Sequence, residues 1–131
     1  MLKFLEVKKS LIPSAGRGVF ALKDIPKGVR IGEYKGKLLN YQEFKKLRDT
    51  RYVFEVAKKK NGRYVTFYID AKPLKTSNIL RFINGVRTKE QEILANLETY
   101  QYGEKIYYRT TRKVKKGEEL LVDYGDNYWH E

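Results

Sequence analysis

The 131-residue sequence predicts a mostly β fold of the α+β class, built from several small β-sheets with short helices. Three observations lead to this prediction. Short runs rich in β-branched and aromatic residues recur along the chain, turn residues separate them, and helical periodicity is scarce. No linker or internal repeat interrupts this pattern, so a single domain spanning residues 1–131 is expected.

Strands account for most of the predicted elements. Three strands, each bounded by turn residues, are predicted outside hairpins, at residues 19–22, 29–34 and 119–124. Residues 52–56 and 64–69 flank an Asn-Gly pair, which favours a type I′ turn, and are predicted to form a hairpin. A second hairpin is predicted from residues 99–102 and 105–110, which flank another glycine turn.

Helical signal is confined to short segments. Residues 41–47 carry apolar side chains at helical spacing and follow Asn40, a residue type favoured at N-caps. Residues 77–83 are predicted to form a second short helix, whereas residues 88–94 are ambiguous. These minor helices leave the fold class mostly β.

Composition argues against several kinds of chemistry. The chain has no cysteine and a single histidine, His130, which leaves no disulfide, thiolate zinc site or cysteine nucleophile and argues against Ser-His-Asp catalysis. No metal site is expected. No apolar run reaches the length of a membrane span, and none has the pattern of a secretory signal. The formal net charge of +12 predicts a strongly cationic surface. The chain also has eleven tyrosines, more than core packing alone would require.

Two glycine-containing patterns are candidates for a binding site. The glycines of Gly16-Arg17-Gly18 would let the backbone approach a ligand, although a tight turn is the favoured explanation when they are taken alone. Asn84-Gly85 follows an apolar stretch, where an amide could hold a polar small molecule or simply cap or turn the chain.

Tyrosines near strand ends form a third pattern. Tyr34, Tyr108 and Tyr124 all lie near the ends of predicted strands, where a tyrosine is usually a packing residue. Three phenols converging on one cavity would be unusual packing. Phenol oxygens and π-faces suit the recognition of an amine or a sulfonium.

Taken in order, the patterns resemble the SET domain, the fold of protein-lysine methyltransferases that use S-adenosylmethionine. Five motifs carry the resemblance, at residues 16–21, 32–36, 68–71, 78–84 and 117–125. Together they extend from about residue 7 to residue 129. Five ordered motifs at sensible spacing are specific, although any one could arise by chance.

Details of the motifs refine the resemblance. Most SET domains continue from the asparagine with His-Ser-Cys, whereas Asn84 is followed by Gly85-Val86-Arg87. This variation, with residues 96–102 and 106–110, is similar to the PR subgroup, in which some members are active methyltransferases and others have no demonstrated activity. The chain also carries no cysteine-rich post-SET module, so a minimal architecture is expected, resembling the SET proteins of large DNA viruses.

The resemblance implies a role for each matched residue. The Gly16-Arg17-Gly18 backbone is expected to lie against S-adenosylmethionine, and Asn84 with Gly85 to contact its methionine and adenine parts. Tyr124 is expected to be the catalytic-site tyrosine beside the cofactor, with Tyr34 and Tyr108 lining the lysine channel. Asp70 and Arg81 are expected to be structural.

The resemblance as a whole implies an S-adenosylmethionine-dependent protein-lysine N-methyltransferase that acts on histone tails, with histone H3 favoured, in the nucleus of the cell or of an infected host, or otherwise in the cytoplasm. Methyl transfer to an amine needs alignment and a neutral lysine, and it requires neither metal nor covalent intermediate. The Tyr128-Trp129 tail is expected either to cover the channel or to pack against a second subunit as a homodimer.

Positive charge is concentrated between Lys45 and Arg63, where the sequence has eight lysines and arginines but only two carboxylates. A solvated surface is the usual interpretation of such a run, but attraction to nucleosomal DNA, or to an acidic surface patch, would explain its concentration better. Two rival functions remain. A catalytically inactive PR-type module would bind proteins or nucleosomes, and a nucleic-acid-binding β domain would use its tyrosines for stacking but leaves the five ordered motifs unexplained.

Overall fold

The computed structural model describes residues 2–123. Within this range the chain forms ten short strands and one α-helix, α1 (Tyr41–Lys45). The strands are β1 (Leu5–Lys9), β2 (Arg17–Ala21), β3 (Arg30–Glu33), β4 (Lys37–Leu39), β5 (Val53–Lys60), β6 (Arg63–Asp70), β7 (Asn84–Gly85), β8 (Leu97–Tyr102), β9 (Lys105–Thr110) and β10 (Leu121–Val122). Short 3-10 helices lie at Leu2–Phe4, Leu74–Thr76, Ile79–Phe82 and Glu92–Leu94.

The strands pair into three small sheets, which confirms the predicted mostly β class. Strands β1 and β2 form an antiparallel pair, and a second sheet has the order β4-β6-β5. The third sheet has the order β3-β9-β8-β10-β7, and β10 runs parallel to both of its neighbours. Residues far apart in sequence therefore meet at β10.

Both predicted hairpins are confirmed. Strands β5 and β6 pair from Val53↔Asp70 to Lys60↔Arg63, so that two residues form the turn. Those residues, Asn61 and Gly62, have φ angles of 52° and 78°, and positive φ at both positions is what a type I′ turn requires. Strands β8 and β9 likewise pair up to Tyr102↔Lys105 around a glycine with φ of 65°.

The helical segments follow the predicted positions but are shorter. Helix α1 begins after Asn40, whose side chain accepts from the Glu43 backbone N–H while the Glu43 carboxylate accepts from the Asn40 N–H, a complete capping box. The predicted helix at residues 77–83 is a single 3-10 turn. Asn78 has an extended backbone there, and its side chain caps the turn by accepting from Leu80 N at 3.1 Å.

The strand predicted at residues 119–124 is wrong in its length, because only Leu121–Val122 is a strand in the described part of the chain. Glu119 forms only an isolated bridge with Phe20 of β2, and the backbone on either side of Leu120 is bonded by the fully buried side chain of Asn96. Its Nδ2 donates to the Glu119 carbonyl at 2.9 Å, and its Oδ1 accepts from Leu121 N at 2.9 Å. Strands β1, β4 and β7 had no counterpart among the predicted elements.

The hydrophobic core lies where the three sheets meet. The largest fully buried side chains come from different sheets and from the 3-10 helix, and include Phe20, Ile31, Leu80, Tyr108 and Val56. Burying a side chain of this size contributes about 1.5–3 kcal/mol. The core thus fixes β2, β3, β9 and the 3-10 helix relative to one another.

Replacing Gly36 by alanine is expected to lower the free energy of unfolding by about 2 kcal/mol or more, because a new Cβ would overpack this site. That Cβ would lie 2.5 Å from the backbone oxygen of Asp70, which cannot move without disturbing the β4–β6 pair. Urea unfolding measures the change. The exposed neighbouring Lys35→Ala is the control, and a Gly36→Ala protein as stable as this control would contradict the steric argument.

Candidate functional site

The residues between β1 and β2 form a loop that folds back on itself. Ser10 N donates to the Gly16 carbonyl at 2.8 Å, and Gly16 has a φ of 73°, a conformation that favours glycine. Beside this loop is an open groove of about 620 Å³, lined by Val7, Lys8, Lys9, Gly16 and Arg17. A groove of this size is within the range of small-molecule sites, and its three cations favour an anionic group.

The Asn84 side chain connects this loop to strand β7. Its Nδ2 donates to the Arg17 carbonyl at 2.8 Å. Gly85, the other residue of β7, is buried and pairs with Val122 of β10. The structure therefore brings Asn84 and Gly85 beside the glycine loop. The two glycine-containing candidates together form one site, the glycine corner.

A buried carboxylate lies at the centre of this corner. Glu119 is 5% exposed, and its carboxylate accepts from Ser10 Oγ at 2.6 Å and from Leu11 N at 2.9 Å. Asn84 Nδ2 lies 3.4 Å from the same carboxylate. A buried carboxylate requires such hydrogen bonds because burial otherwise disfavours its charge. Glu119 thus holds the loop and strand β7 in one arrangement.

Gly18 is required by this carboxylate. A Cβ on Gly18 would lie 2.3 Å from Glu119 Oε2 and 3.2 Å from Ser10 Cβ. The two glycines of the motif therefore have different functions. Gly16 supplies a positive φ, and Gly18 leaves the space that Glu119 occupies.

Two of the three predicted channel tyrosines lie side by side in the core. Tyr34 is 4% exposed and Tyr108 is fully buried, and their rings meet edge to face with centroids 6.1 Å apart. The Tyr34 hydroxyl donates to the Tyr52 carbonyl at 2.7 Å, and its ring contacts Phe54 at 4.9 Å. These contacts fix the orientation of the Tyr34 ring. Tyr124 lies outside the described residues.

The 3-10 helix Ile79–Phe82 connects the tyrosines to the glycine corner. Asn78 Nδ2, at its start, donates to the carbonyl of Glu33, the residue before Tyr34. At its end, the Phe82 ring lies 5.8 Å from the Arg17 guanidinium. One short element therefore contacts both halves of the candidate site.

Asp70 and Arg81, which are expected to be structural, both contact neighbouring residues, although Nε and Nη1 of Arg81 are buried without a hydrogen-bond partner among the described residues. Asp70 is buried, and its carboxylate accepts from Lys72 N at 3.0 Å. The Arg81 guanidinium lies over the Tyr52 ring at 4.5 Å and beside the Phe82 ring at 5.1 Å. Neither residue is among those that line the groove beside Gly16.

Sequence reasoning missed the roles of Glu119 and Asn96. Both signals were present, since each is a polar residue within an apolar segment: Glu119 precedes Leu120-Leu121-Val122, and Asn96 lies between Ala95 and Leu97. A polar residue in such a position is either exposed or fully hydrogen-bonded. Only the structure shows that both are buried and bonded.

Among residues 2–123, His, Cys, Asp and Glu side chains nowhere form a group of three that could hold a metal ion. The helices of this part of the chain are all too short and too polar to cross a membrane.

Comparison with known proteins identifies the family. The family model described as PR domain zinc finger protein 2, PR domain, matches residues 5–131. The chain belongs to the PR domain family. This PR domain is 35% identical, over 97% of its length, to human histone-lysine N-methyltransferase PRDM7, and 34% identical, over 95%, to histone-lysine N-methyltransferase set-17 of Caenorhabditis elegans. It spans 24% and 42% of these two relatives, less than half of either.

Solved structures show the same fold. The PR domain superposes on the methyltransferase domain of human PR domain-containing protein 2 with a TM-score of 0.76 and 27% identity, covering 95% of this chain and 79% of the other. The SET domain of ATXR5, solved with di-methylated histone H3, gives a TM-score of 0.76 at 28% identity and covers 98% and 60%. The predicted SET-like PR fold is confirmed, and two of the relatives that the chain matches are named histone-lysine methyltransferases.

Proposed function

We propose that this PR domain is an S-adenosylmethionine-dependent protein-lysine N-methyltransferase that acts on histone tails, with histone H3 as its favoured substrate. The observation that carries the proposal is the corner in which Asn84 and Glu119 join the glycine loop to strand β7 beside an open cationic groove. Such a corner provides hydrogen-bonding groups and exposed backbone for a polar small molecule.

The described residues fit this cofactor. Gly16 turns the backbone with a positive φ, and Lys8, Lys9 and Arg17 give the groove a positive charge that suits the carboxylate of a methionine group. The Asn84 amide, beside Gly85, would bond polar groups of the methionine and adenine parts. When bound, S-adenosylmethionine supplies a methyl group activated by its sulfonium.

The tyrosines would position the substrate lysine. A free lysine has a pKa of ~10.4, and entry into an apolar, ring-lined channel disfavours its charged form and so favours the neutral nucleophile. Tyr34 and Tyr108 would form one wall of this channel, with ring positions fixed by their packing. Tyr124 would orient the amine by hydrogen bonding, and alignment alone can remove much of the barrier.

The choice of substrate and location follows the relatives. PRDM7 and set-17 are named histone-lysine methyltransferases, and the ATXR5 SET domain was solved with histone H3. A substrate in chromatin implies a nuclear location, in the cell or in an infected host. A catalytically inactive module that binds histones without cofactor is the alternative, and the binding experiment below separates the two.

Isothermal titration calorimetry with S-adenosylmethionine tests the cofactor corner. The wild-type protein is expected to bind, and Asn84→Ala to bind about tenfold more weakly, because it loses the amide and one bond that holds the loop. Gln101→Ala is the matched control, since the Gln101 amide also donates to backbone carbonyls, of Ala57 and Gly103, away from the corner. A wild-type protein without detectable binding would support the inactive module instead.

A methyl-transfer assay with labelled cofactor then tests the reaction itself. Histone H3 is expected to be labelled above the other core histones, with the label on a lysine identified by mass spectrometry. Cofactor binding without labelling of any histone would contradict the proposed substrate and leave the cofactor site intact.

A further inference from the structure

The part of the hairpin β5–β6 farthest from its turn packs on the protein, but the end that contains the turn does not. Every residue from 57 to 66 is exposed, on both faces of the two strands. This end, residues 57–66, contains four cations and no carboxylate, namely Lys58, Lys59, Lys60 and Arg63. We refer to it below as the hairpin end.

The structure divides the basic run between Lys45 and Arg63 into paired and unpaired parts. Asp49 bonds Arg51 at 2.8 Å and Lys72 at 3.0 Å, and the Arg51 hydrogen bonds hold the pKa of the Asp49 carboxyl well below its usual range. Lys58 forms an ion pair with Glu104. By contrast, Lys59, Lys60 and Arg63 have no carboxylate partner among residues 2–123, so the excess charge is concentrated at the hairpin end.

The arrangement of these cations is unfavourable for the isolated protein. Lys60 lies directly opposite Arg63, and cross-strand pairs of like charge are destabilising. Lys58 lies on the same face two residues away, because side chains alternate along a strand. An exposed edge strand is often protected by lysine, but that role does not require like charges to face each other across the turn.

The base of the hairpin end is held in place. Gln101 Nε2 donates to the Ala57 carbonyl at 2.6 Å. The next residue, Lys58, forms an ion pair with Glu104 in the turn between β8 and β9. The type I′ turn at Asn61-Gly62 fixes the other end. A charged element that is already ordered loses little entropy when it binds.

We propose that the hairpin end binds the phosphate backbone of duplex DNA, entering the major groove. A two-stranded β-ribbon fits the width of that groove, whose two walls both carry phosphates. Lys60 and Arg63 project from one face and Lys59 from the other, so both walls would be contacted. A flat acidic protein surface would meet only one of these faces. This binding goes beyond the proposed methyl transfer and does not depend on it.

Fluorescence anisotropy with a labelled DNA duplex of about 20 base pairs, at about 50 to 200 mM salt, tests the proposal. The wild-type protein is expected to bind with strong salt dependence. The triple variant Lys59→Gln, Lys60→Gln and Arg63→Gln is expected to bind at least about tenfold more weakly. Its plot of log affinity against log salt should be less steep by about 3, since each lost phosphate contact removes ~0.9 from the slope.

A matched triple variant controls for net charge. Lys27→Gln, Lys75→Gln and Lys89→Gln remove the same charge from exposed positions on other segments. The proposal is overturned if this control weakens DNA binding as much as the hairpin triple, if the wild-type protein does not bind DNA, or if it binds polyglutamate more tightly than DNA.

Two further measurements distinguish a specific loss of DNA binding from misfolding, and DNA binding from the proposed methyl transfer. The hairpin triple is expected to be at least as stable as wild type in urea, because it removes like-charge repulsion. Labelling of a free histone H3 tail peptide should be unchanged in this variant. DNA binding without any methyl transfer would contradict the proposed function alone, and methyl transfer without DNA binding would contradict the hairpin proposal alone.

Discussion

Glu119→Gln is expected to lower the free energy of unfolding by about 3 kcal/mol and to weaken cofactor binding. Hydrogen bonds to a charged group contribute about 1.5–3 kcal/mol each, and the Glu119 carboxylate accepts from both Ser10 Oγ and Leu11 N. A glutamine can accept at only one of its two terminal atoms. Its NH2 group would then face either the Leu11 N–H or the Asn84 amide, so one donor loses its partner.

The two effects are measured separately. Urea unfolding reports the loss of stability, and calorimetry with S-adenosylmethionine, at a temperature where the variant is folded, reports the loss of affinity. Glu118→Gln is the matched control, since this neighbouring carboxylate is more exposed and pairs with Arg112 at 3.2 Å at the surface. If Glu119→Gln bound the cofactor as tightly as Glu118→Gln does, the carboxylate would stabilise the fold without positioning the corner.

Tyr124→Phe is expected to reduce methyl transfer by about 100-fold or more while changing cofactor affinity by no more than about twofold. The size of the rate effect is that of removing one positioned hydrogen-bonding group from an active site. The proposal gives the Tyr124 hydroxyl the task of orienting the amine, whereas Gly16, Arg17, Asn84 and Gly85 bind the cofactor. The two measurements should therefore respond differently.

Single-turnover transfer of labelled methyl to a histone H3 tail peptide measures the rate, and calorimetry measures the affinity. Tyr102→Phe provides the control, because Tyr102 is 71% exposed at the β8–β9 turn. Unchanged turnover in Tyr124→Phe would remove this residue from the mechanism. An equal loss of affinity and rate would instead assign it to cofactor binding.

Local patterns predicted the hairpins and the capped helix because the residues that determine them are neighbours in sequence. Asn61-Gly62 dictates its own turn, and Asn40 with Glu43 forms its own capping box. The order of the motifs also predicted that the glycine loop and Asn84 belong to one site. The turn and the capping box are each carried by a short segment, whereas the shared site was implied by the order of all five motifs.

What could not be predicted depends on contacts between distant segments. Parallel pairing of the two-residue strand β10 with β7 and β8 has no local signature, and neither has the burial of Glu119. The strand predicted at residues 119–124 is shorter in the structure, since Glu119 forms only an isolated bridge with Phe20 and the Asn96 side chain bonds the Glu119 carbonyl and the Leu121 N–H. A side chain that bonds the backbone of a distant segment can be recognised only in the folded structure.

The bond between Ser10 and Glu119 spans 109 residues, and this separation has a consequence for synthesis. While the chain is being translated, Ser10, Leu11 and Asn84 emerge long before the carboxylate that pairs with them. The strand pairing within each of the hairpins β5–β6 and β8–β9 is local, so these two pairs can form during elongation. The corner formed by the glycine loop, Asn84 and Glu119, in contrast, can form only after residue 119 has left the ribosome. A ligand can therefore bind there only near the end of translation.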